Sequence, residues 1–294
     1  MAQILDGKWV ASEVKKEVSG ILEANAPKNG FYWPTLAVVL VGDDPASHIY
    51  VEHKNRDCED CGIVCRTYWF DAKLPQMAVV EQIRQLAADN DVDGILVQLP
   101  LPEHMDAAKV LAEIPPEKDV DCFTTANIGR LYSGDAFLKP CTPAGVMRLL
   151  DEYGIPLSGK HCVVLGRSNV VGKPMAQLLL NENATVTVCH SKTENLRDIC
   201  RSADVLIAAA GRPGLVTRDM VKDGAVIVDV GMNRNADGKL CGDCTHEAYE
   251  ASSFYTPVPG GVGPMTRAML MQNVMMAAAN RRGLDLNYKG EKGK

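Results

Sequence analysis

The sequence predicts a two-domain α/β protein in which each domain is built on a parallel sheet. Its 294 residues correspond to about two domains of roughly 150 residues each. Short runs rich in valine, leucine and isoleucine alternate with amphipathic stretches of helical length, which is typical of parallel strands joined by crossover helices. This alternation occurs twice, before and after a segment at 114–143 that is rich in Pro, Asp and Gly.

The first series has the order strand, helix, strand, helix, strand. Its elements are predicted at 36–41, 45–61, 63–70, 76–89 and 94–98. The segment at 114–143 lacks sustained periodicity, and we expect it to line a cleft between the domains rather than to form part of a core. The domain boundary is placed near Pro140.

The second series repeats the rhythm in the other domain. Its elements are predicted at 162–165, 172–181, 184–189, 194–202, 205–209 and 225–230. A final helix at 265–281 is expected to cross back and pack on the first domain, followed by a frayed tail. We therefore assign 1–140, completed by 265–294, to one domain and 141–264 to the other.

Composition excludes several classes of protein. Lys and Arg number 31 against 37 Asp and Glu, a net charge of −6, so the chain has no global positive field for nucleic acid or anionic lipid. The apolar runs are far shorter than the roughly 20 residues of a membrane span. Asp6 and Lys8 interrupt the place where a secretory signal would be apolar, so we expect a cytoplasmic protein with its ten cysteines as free thiols.

A glycine-bounded turn joins a buried strand to a helix in the second domain. The run Val-Val-Leu-Gly166-Arg167-Ser168-Asn-Val-Val-Gly172 has the arrangement in which helix N-terminal amides receive a pyrophosphate. This predicts a Rossmann-like dinucleotide-binding domain. Because the spacing is not G-x-G-x-x-G, the alternative that the glycines serve only the turn stays open.

The end of the next strand indicates which dinucleotide binds. NAD-binding domains usually have an acidic residue there to hold the ribose hydroxyls, whereas this chain has His190-Ser191-Lys192-Thr193. With Arg167 in the preceding turn, Ser191 and Lys192 offer donors and positive charge to a 2′-phosphate. The pattern favours NADP over NAD, and the alternative is a solvated polar loop.

A lysine interrupts an apolar stripe on the helix at 45–61. Val51, Lys54, Cys58 and Cys61 follow helical spacing, and Tyr50 shares a face with Lys54. One interpretation is a partly buried lysine with a lowered pKa that serves as a general acid or base. The alternative is a lysine at the edge of the stripe whose charged end reaches solvent.

Three further features are candidate site elements. Gln98 stands at the carboxyl end of a buried strand, where parallel sheets place their sites. Asp119 and Asp121 lie in the connecting segment, where plain solvation is the alternative. The segment 257–266, Pro-Val-Pro-Gly-Gly-Val-Gly-Pro-Met-Thr, is a stiff, glycine-dense turn that lets backbone approach a flat ligand.

Together these stretches resemble the bifunctional methylenetetrahydrofolate dehydrogenase/methenyltetrahydrofolate cyclohydrolase family, of the FolD type. The matching stretches occur in the family's order along nearly the whole chain, at 41–54, 94–102, 118–121, 166–174, 229–234 and 257–266. The resemblance implies oxidation of 5,10-methylenetetrahydrofolate with NADP⁺ and hydrolysis of the methenyl product to 10-formyltetrahydrofolate, in one-carbon metabolism that serves purine biosynthesis. It also implies a homodimer. No metal is predicted.

The resemblance also implies residue roles. Lys54 would be the catalytic lysine, Tyr50 would stack on the folate, Gln98 would position Lys54, and Asp121 would hydrogen-bond the pterin. The residues that would line the folate slot are Pro259, Gly260 and Gly261, and those that would contact NADP are Gly166, Arg167, Ser168, Gly172, Ser191 and Met232. Two departures are Cys122-Phe-Thr124, where the family usually has Gly-Phe-His, and Met232, where it commonly has isoleucine.

The sequence leaves three alternatives. Tyr50-x-x-x-Lys54 also occurs in short-chain dehydrogenases, but those enzymes place their nucleotide-binding glycines before the pair, whereas Gly166 follows it. A catalytically silent nucleotide-binding regulator is a second alternative. The cysteine pairs Cys58/Cys61 and Cys241/Cys244 have spacings that can hold zinc, although free thiols are favoured by their context.

Overall fold

The structure is a computed structural model that describes residues 2–26, 30, 32–43 and 45–286, apart from the side chains of 45–50. The chain divides into two compact units. The first, here called the three-stranded unit, contains Ser12–Cys141 and the chain from Arg267 onward. The second, the six-stranded unit, contains Thr142–Thr266 and the N-terminal residues up to Ala11.

Strands and helices alternate as predicted. The strands are β1 (Gln3–Ile4), β2 (Thr35–Val41), β3 (Val64–Phe70), β4 (Gly94–Val97), β5 (His161–Leu165), β6 (Thr185–Cys189), β7 (Val205–Ala208), β8 (Val226–Asp229), β9 (Asn233–Arg234), β10 (Leu240–Cys241) and β11 (Phe254–Tyr255). The helices are α1 (Gly7–Asn25), α2 (Pro45–Cys61), α3 (Gln76–Ala88), α4 (Ala107–Leu111), α5 (Thr125–Ser133), α6 (Cys141–Glu152), α7 (Gly172–Asn181), α8 (Leu196–Arg201), α9 (His246–Ala251) and α10 (Val262–Arg282).

The three-stranded unit has a parallel sheet in the order β3-β2-β4. Every residue of the central strand β2 is buried, which explains its continuous apolar sequence. Helix α3 covers one face with Val79, Val80, Ile83 and Leu86. This packing sets the carboxyl ends of β2 and β4 side by side, at the edge where parallel sheets carry their sites.

The six-stranded unit has the order β1-β11-β8-β7-β5-β6, and all of its pairings are parallel. Its first core strand β5 lies between β6 and β7, so the winding direction reverses between β5 and β7. Ligands of open α/β sheets bind at such a reversal. The predicted fold class, an α/β protein with a Rossmann-like domain, is confirmed.

The N-terminal residues up to Ala11 group with the six-stranded unit, whereas the predicted domain bounds place them with 12–140, and those bounds stay a prediction. Strand β1 pairs with β11 through Gln3 and Phe254, and the Leu5 amide donates to the Tyr255 carbonyl at 2.8 Å. A two-residue strand carries no sequence periodicity, and its partner lies at the far end of the chain.

Helix α10 starts earlier than predicted, at Val262 rather than Met265. Pro264 is accommodated because it lies in the first turn, where its missing amide hydrogen would have no partner within the helix. Beyond Thr266 the helix joins the three-stranded unit, where Arg281 and Arg282 pair with the buried Asp93 at 2.9 and 3.2 Å. The predicted frayed tail falls largely on 287–294, which lies outside the described residues.

The connecting segment is more ordered than its composition suggests. Helix α5 begins after Thr124, whose hydroxyl accepts from the Asn127 amide at 3.4 Å, and it ends at Gly134 with φ of 83°. The buried face of α5 includes the polar Asn127 beside Leu131, so the helix is not evident from apolar spacing alone. Helix α1 also was not predicted. No helix in the described part of the chain is long and apolar enough to span a bilayer.

Candidate active site and nucleotide site

Lys54 meets Gln98 inside the three-stranded unit. Lys54 lies half-buried on α2, and its Nζ donates to Gln98 Oε1 at 2.8 Å. Gln98 directly follows β4, and its backbone amide continues the sheet by donating to the Val39 carbonyl at 2.8 Å. Its side-chain amide nitrogen donates to the Leu99 carbonyl at 2.7 Å. That second bond fixes which way the amide points, so the oxygen faces the lysine.

Burial lowers the pKa of Lys54, and the nearby Asp121 carboxylate opposes that shift. Burial likewise raises the pKa of Asp121, and the lysine opposes that shift. Each group therefore favours its neutral form more than it would in water. The apolar stripe predicts this behaviour for Lys54, which is the property that a general base at neutral pH requires.

Lys54, Gln98 and Asp121 are here called the lysine cluster. The chain before Asp121 is anchored by a buried lysine, Lys118, that is not part of this cluster. Lys118 Nζ donates to the carbonyls that end α3, those of Leu86, Ala87 and Asp89, at 3.1, 2.8 and 2.7 Å. Three carbonyls around one ammonium satisfy its donors, and the positive charge is favourable at a helix C-terminus. Lys118 thereby fixes the start of the segment that carries Asp121.

The chain after Asp121 is anchored by a buried carboxylate. Asp119 accepts from the amides of Phe123 and Thr124 at 3.2 and 2.8 Å, and from Asn127 Nδ2 at 3.0 Å. Between these anchors Cys122 has φ of 59°, a left-handed conformation that favours glycine. Cys122, which is buried, adopts this conformation here.

Sequence reasoning missed Cys141 as part of this cluster. The buried Cys141 begins α6, and its thiol lies within hydrogen-bonding reach of the Val120 carbonyl, at 3.4 Å, and of the Asp121 carboxyl. It stands at the predicted domain boundary, and no motif drew attention to it. Tyr50 lies on α2 one turn before Lys54, but its side chain is outside the described residues, so its stacking role stays a prediction.

The glycine turn of the six-stranded unit is as tight as predicted. Gly166 has φ of 137°, and a Cβ atom there would lie 2.2 Å from the Ala209 carbonyl oxygen. A Cβ on Gly172 would lie 2.2 Å from the Gly166 carbonyl oxygen. The Ser168 hydroxyl accepts from the amides of Val171 and Gly172 at 3.1 and 3.3 Å. Both glycines are therefore needed for close packing, and Ser168 holds the turn in shape at the start of α7.

Cationic and hydroxyl groups follow two adjacent strands at one edge of the sheet. Leu165 and Cys189 are paired in register, so Arg167 and Ser191 each come two residues after the end of neighbouring strands. Both are exposed, as is Lys192. The turn is shaped by the His190 amide, which donates to Thr193 Oγ1 at 2.9 Å. Positive charge without a carboxylate at this position fits a phosphate.

Two buried carboxylates, also missed by sequence reasoning, organise the neighbouring loops. Asp243 accepts from the amides of Ala210, Gly211 and Arg212 at 2.6, 3.0 and 2.7 Å. It also accepts from Asn233 Nδ2 at 2.8 Å. The only sign of these two carboxylates in the sequence is that each acidic residue lies near a glycine whose position leaves no room for a Cβ atom. A Cβ on Gly231 would lie 2.5 Å from Asp243 Oδ1.

Asp229, which ends β8, is the second of these carboxylates. It accepts from the Cys244 amide at 2.8 Å and from the Tyr249 hydroxyl at 2.7 Å. Because Asp229 also accepts from the Asp243 amide at 3.0 Å, the two acids form one hydrogen-bonded network. This network fixes the loops that leave β7 and β8 at their carboxyl ends.

The predicted folate-slot residues Pro259, Gly260 and Gly261 belong to the six-stranded unit, not to the unit that holds Lys54. Gly260 has φ of 114°, and Gly261 packs so closely that a Cβ there would lie 2.6 Å from Thr256 Cβ. Met232 is 53% exposed. These positions suit a ligand contact sterically, and their roles stay predictions.

The cysteine pairs do not form a zinc site in the described part of the chain. All ten cysteines are free thiols, and Cys58 hydrogen-bonds Cys65 rather than joining Cys61 in a cluster. Within residues 2–26, 30, 32–43 and 45–286, no group of three or more His, Cys, Asp or Glu residues is arranged to hold a metal ion.

A parallel sheet with a glycine turn, joined in one chain to a lysine, glutamine and aspartate cluster, defines a two-domain nucleotide-dependent enzyme. The chain belongs to the tetrahydrofolate dehydrogenase/cyclohydrolase family. Residues 5–121 match the family's catalytic domain, and residues 140–282 match its NAD(P)-binding domain. The predicted family is therefore confirmed.

Relatives match over nearly their whole length. The bifunctional protein FolD of Campylobacter hominis is 53% identical over 95% of this chain and 98% of its own. The crystal structure of the bifunctional enzyme FolD from Campylobacter jejuni has a TM-score of 0.93 at 46% identity, covering 96% of this chain and 100% of its own. The Trypanosoma brucei enzyme, solved with NADP and an inhibitor, has a TM-score of 0.91 at 37% identity, covering 96% and 99%.

Proposed function

We propose that this protein oxidises 5,10-methylenetetrahydrofolate to 5,10-methenyltetrahydrofolate with NADP⁺ and hydrolyses that product to 10-formyltetrahydrofolate. The contact between Lys54 Nζ and Gln98 Oε1 at 2.8 Å, beside Asp121, is the observation that carries the proposal. It supplies a lysine of lowered pKa in a chain of the family that catalyses these two reactions.

The oxidation requires orientation rather than an acid. The bound cofactor would supply a hydride acceptor for the methylene carbon of the folate, a chemistry that asks no proton transfer of the protein. The protein's contribution is to hold two flat ligands in a reactive geometry. We propose that Asp121 hydrogen-bonds the pterin and that Pro259, Gly260 and Gly261 pack on the folate. Tyr50 stacks on the folate in the same proposal.

The hydrolysis requires proton transfer. Water must add to the methenyl carbon, and protons must move on and off the ring nitrogens as the adduct breaks down. In its neutral form, Lys54 takes a proton from the attacking water, and the resulting ammonium then donates it to the departing ring nitrogen. As that carbon–nitrogen bond breaks, the formyl C=O bond forms and the remaining hydroxyl proton of the adduct is released to solvent. Gln98 keeps the lysine oriented through both steps.

The pH dependence of hydrolysis provides one prediction. Replacing Gln98 with glutamate places a carboxylate against Lys54 Nζ, and an opposite charge at that distance raises a lysine pKa by about 1–3 units. The neutral fraction of Lys54 at pH 7 falls accordingly. We expect the hydrolysis rate of Gln98→Glu to rise with pH, as in the unmutated protein, but with the rise shifted to higher pH by at least one pH unit.

The control for this variant is Gln85→Glu, which adds the same charge on the exposed face of α3. Its pH–rate profile should match that of the unmutated protein. An unshifted rise in Gln98→Glu, measured on folded protein, would contradict the role of Lys54 as the titrating base.

Cofactor selection provides a second prediction. We propose that Arg167, Ser191 and Lys192 bind the 2′-phosphate, while Gly166, Ser168 and Gly172 shape the turn that receives the pyrophosphate. A charge-assisted hydrogen bond contributes about 1.5–3 kcal/mol. We therefore expect Arg167→Ala to reduce the ratio of kcat/KM for NADP⁺ over NAD⁺ by at least roughly tenfold, since about 1.4 kcal/mol is a factor of ten.

Arg201→Ala is the matched control for cofactor selection. Arg201 ends α8, before β7 begins, and therefore lies at the opposite edge of the same sheet. Its removal should leave the ratio unchanged. Equal kcat/KM for NADP⁺ and NAD⁺ in the unmutated protein would overturn the proposed 2′-phosphate site.

The function itself is tested with purified protein and synthetic folates. Methylenetetrahydrofolate with NADP⁺ should yield reduced cofactor, and methenyltetrahydrofolate alone should be hydrolysed faster than the uncatalysed background. Tight NADP binding without turnover of either folate would instead indicate a silent nucleotide-binding regulator.

We propose further that the protein is a cytoplasmic homodimer. Ten free thiols fit a reducing compartment. The seven-residue strand β3 is an edge of its sheet, with Val64 44% exposed, and such an edge is suited to contact with a second copy of the chain. Sedimentation of the protein at assay concentrations tests the dimer, and a monomer under those conditions would overturn it.

A further inference from the structure

Asn273 is a buried polar residue in the middle of α10, a helix rich in Met and Ala. The side chain is only 4% exposed, and its neighbours Met271 and Val274 are fully buried. The amide nitrogen Nδ2 donates to the Val120 carbonyl and to the Lys139 carbonyl, each at 2.8 Å. Both hydrogens of the amide are therefore used, and both acceptors are backbone atoms.

These two carbonyls belong to the segments that carry the acidic part of the cluster. Val120 immediately precedes Asp121, and Lys139 lies two residues before Cys141. The Cys141 thiol is within reach of the Val120 carbonyl and the Asp121 carboxyl, and it lies 3.5 Å from Asn273 Nδ2. A single side-chain amide thus joins the two segments at the point where Asp121 and Cys141 meet.

We propose that Asn273 is a positioning residue for the hydrolytic reaction, holding Asp121 and Cys141 in place against Lys54. The proposal rests on the proposed function. Asparagine suits the position because two carbonyls in an apolar setting need two donors from one compact group. An apolar side chain would leave both carbonyls unpaired, and aspartate would place oxygen against oxygen.

The consequence for Lys54 follows from its surroundings. The groups that face it are Asp121, Cys141, Cys65, Cys58 and Gln98. Asp121 and Cys141 come from the two segments that Asn273 joins, whereas the others lie on α2, β3 and the end of β4. Loosening the two segments admits water, and burial is the largest cause of the lowered pKa of Lys54; displacing the Asp121 carboxylate acts in the opposite direction but is the smaller cause. That pKa should then rise toward its ordinary value.

The test compares two buried asparagines of the same unit. Asn25 is also 4% exposed, and its Nδ2 also donates to two carbonyls, those of Ile21 and Asp285, at 2.8 and 2.9 Å. None of its partners belongs to the cluster around Lys54. Asn273→Ala and Asn25→Ala each remove two bonds to backbone carbonyls, and Asn25→Ala also removes the bond that Oδ1 accepts from the Asp285 amide at 2.9 Å.

The test requires three measurements for both variants and for the unmutated protein: the rate of methenyltetrahydrofolate hydrolysis as a function of pH, the affinity for NADP⁺, and the temperature of thermal unfolding. Displacement of reacting groups by about 1 Å can reduce a rate by about 10²-fold. The hydrolysis rate of Asn273→Ala is therefore expected to fall on the order of 10²-fold. The rising part of its pH–rate profile should move to higher pH, and its NADP⁺ affinity should stay within twofold of that of the unmutated protein. Asn25→Ala should keep the unmutated rate and pH–rate profile despite a similar loss of stability. If Asn273→Ala does not fold, Asn273→Ser retains one donor and should show an intermediate loss.

The outcomes separate this inference from the function on which it rests. Absence of hydrolysis by the unmutated protein would overturn the proposed function. Hydrolysis by the unmutated protein together with less than threefold loss in Asn273→Ala, or with equal losses in the two asparagine variants, would overturn only the positioning role.

Discussion

Lys54→Met is expected to abolish methenyltetrahydrofolate hydrolysis while leaving NADP⁺ binding intact. Methionine is similar in length and apolar, so it fills the half-buried position on α2 without the amine. Loss of general acid–base catalysis reduces rates by about 10² to 10⁴-fold. The oxidation, which needs no proton transfer, should lose less. The measurement is hydrolysis against the uncatalysed background at several pH values, together with NADP⁺ affinity.

The control for this experiment is Lys16→Met, which removes a lysine whose side chain is 70% exposed on α1. It should hydrolyse at the unmutated rate. If folded Lys54→Met also hydrolysed methenyltetrahydrofolate at the unmutated rate, the proposed mechanism would be wrong. Lys54 would then only be a lysine at the edge of the apolar stripe, with its charged end in solvent.

Asp243→Ala is expected to have the largest effect on stability. Its carboxylate is fully buried and accepts four hydrogen bonds, so truncation leaves four donors without their acceptor. One buried donor left without an acceptor costs about 1–3 kcal/mol, so the loss of these bonds together should cost at least about 3 kcal/mol. Because three of those donors form the loop after β7, NADP⁺ binding should be lost as well. Denaturant unfolding and nucleotide titration measure the two effects.

Asp204→Ala is the matched control, because Asp204 directly precedes β7 whereas the loop that Asp243 holds follows β7. Asp204 also accepts a backbone amide, that of His161 at 3.0 Å, and pairs with Lys222 at 2.7 Å, but its side chain is 33% exposed. Solvent screening reduces such a contribution to about 1 kcal/mol. Equal destabilisation by the two substitutions would contradict the role given to the Asp243 network.

Much of the fold was predictable because buried parallel strands have continuous apolar sequences. Strand β2 was predicted at 36–41 and lies at Thr35–Val41, and α2 has its predicted bounds. Elements that depend on distant pairing were not predictable. The two-residue strands β1 and β11 are stabilised by each other and by β8, across most of the chain length. Nothing local in either sequence indicates that pairing.

The candidate site likewise contains residues that local sequence indicates and residues that only tertiary contacts bring in. Lys54 was recognisable because it is a polar residue at a position where the helical pattern requires an apolar one. Gln98 was recognisable because it is a polar residue at the end of a buried strand. Cys141 and Asn273 contribute through contacts with backbone carbonyls from remote segments. Cysteine is common in apolar cores, and one asparagine in a helix carries no motif. Their importance depends on tertiary structure that periodicity cannot show.

The most direct test of the account is a time course with methylenetetrahydrofolate and NADP⁺, following reduced cofactor and methenyltetrahydrofolate by their absorbance. The unmutated protein should form reduced cofactor while methenyltetrahydrofolate stays low, because the same chain hydrolyses it. Lys54→Met should still form reduced cofactor but accumulate methenyltetrahydrofolate. Formation of no reduced cofactor by the unmutated protein, or identical methenyltetrahydrofolate levels in the two proteins, would contradict the claim that one chain performs both reactions and uses Lys54 for the second.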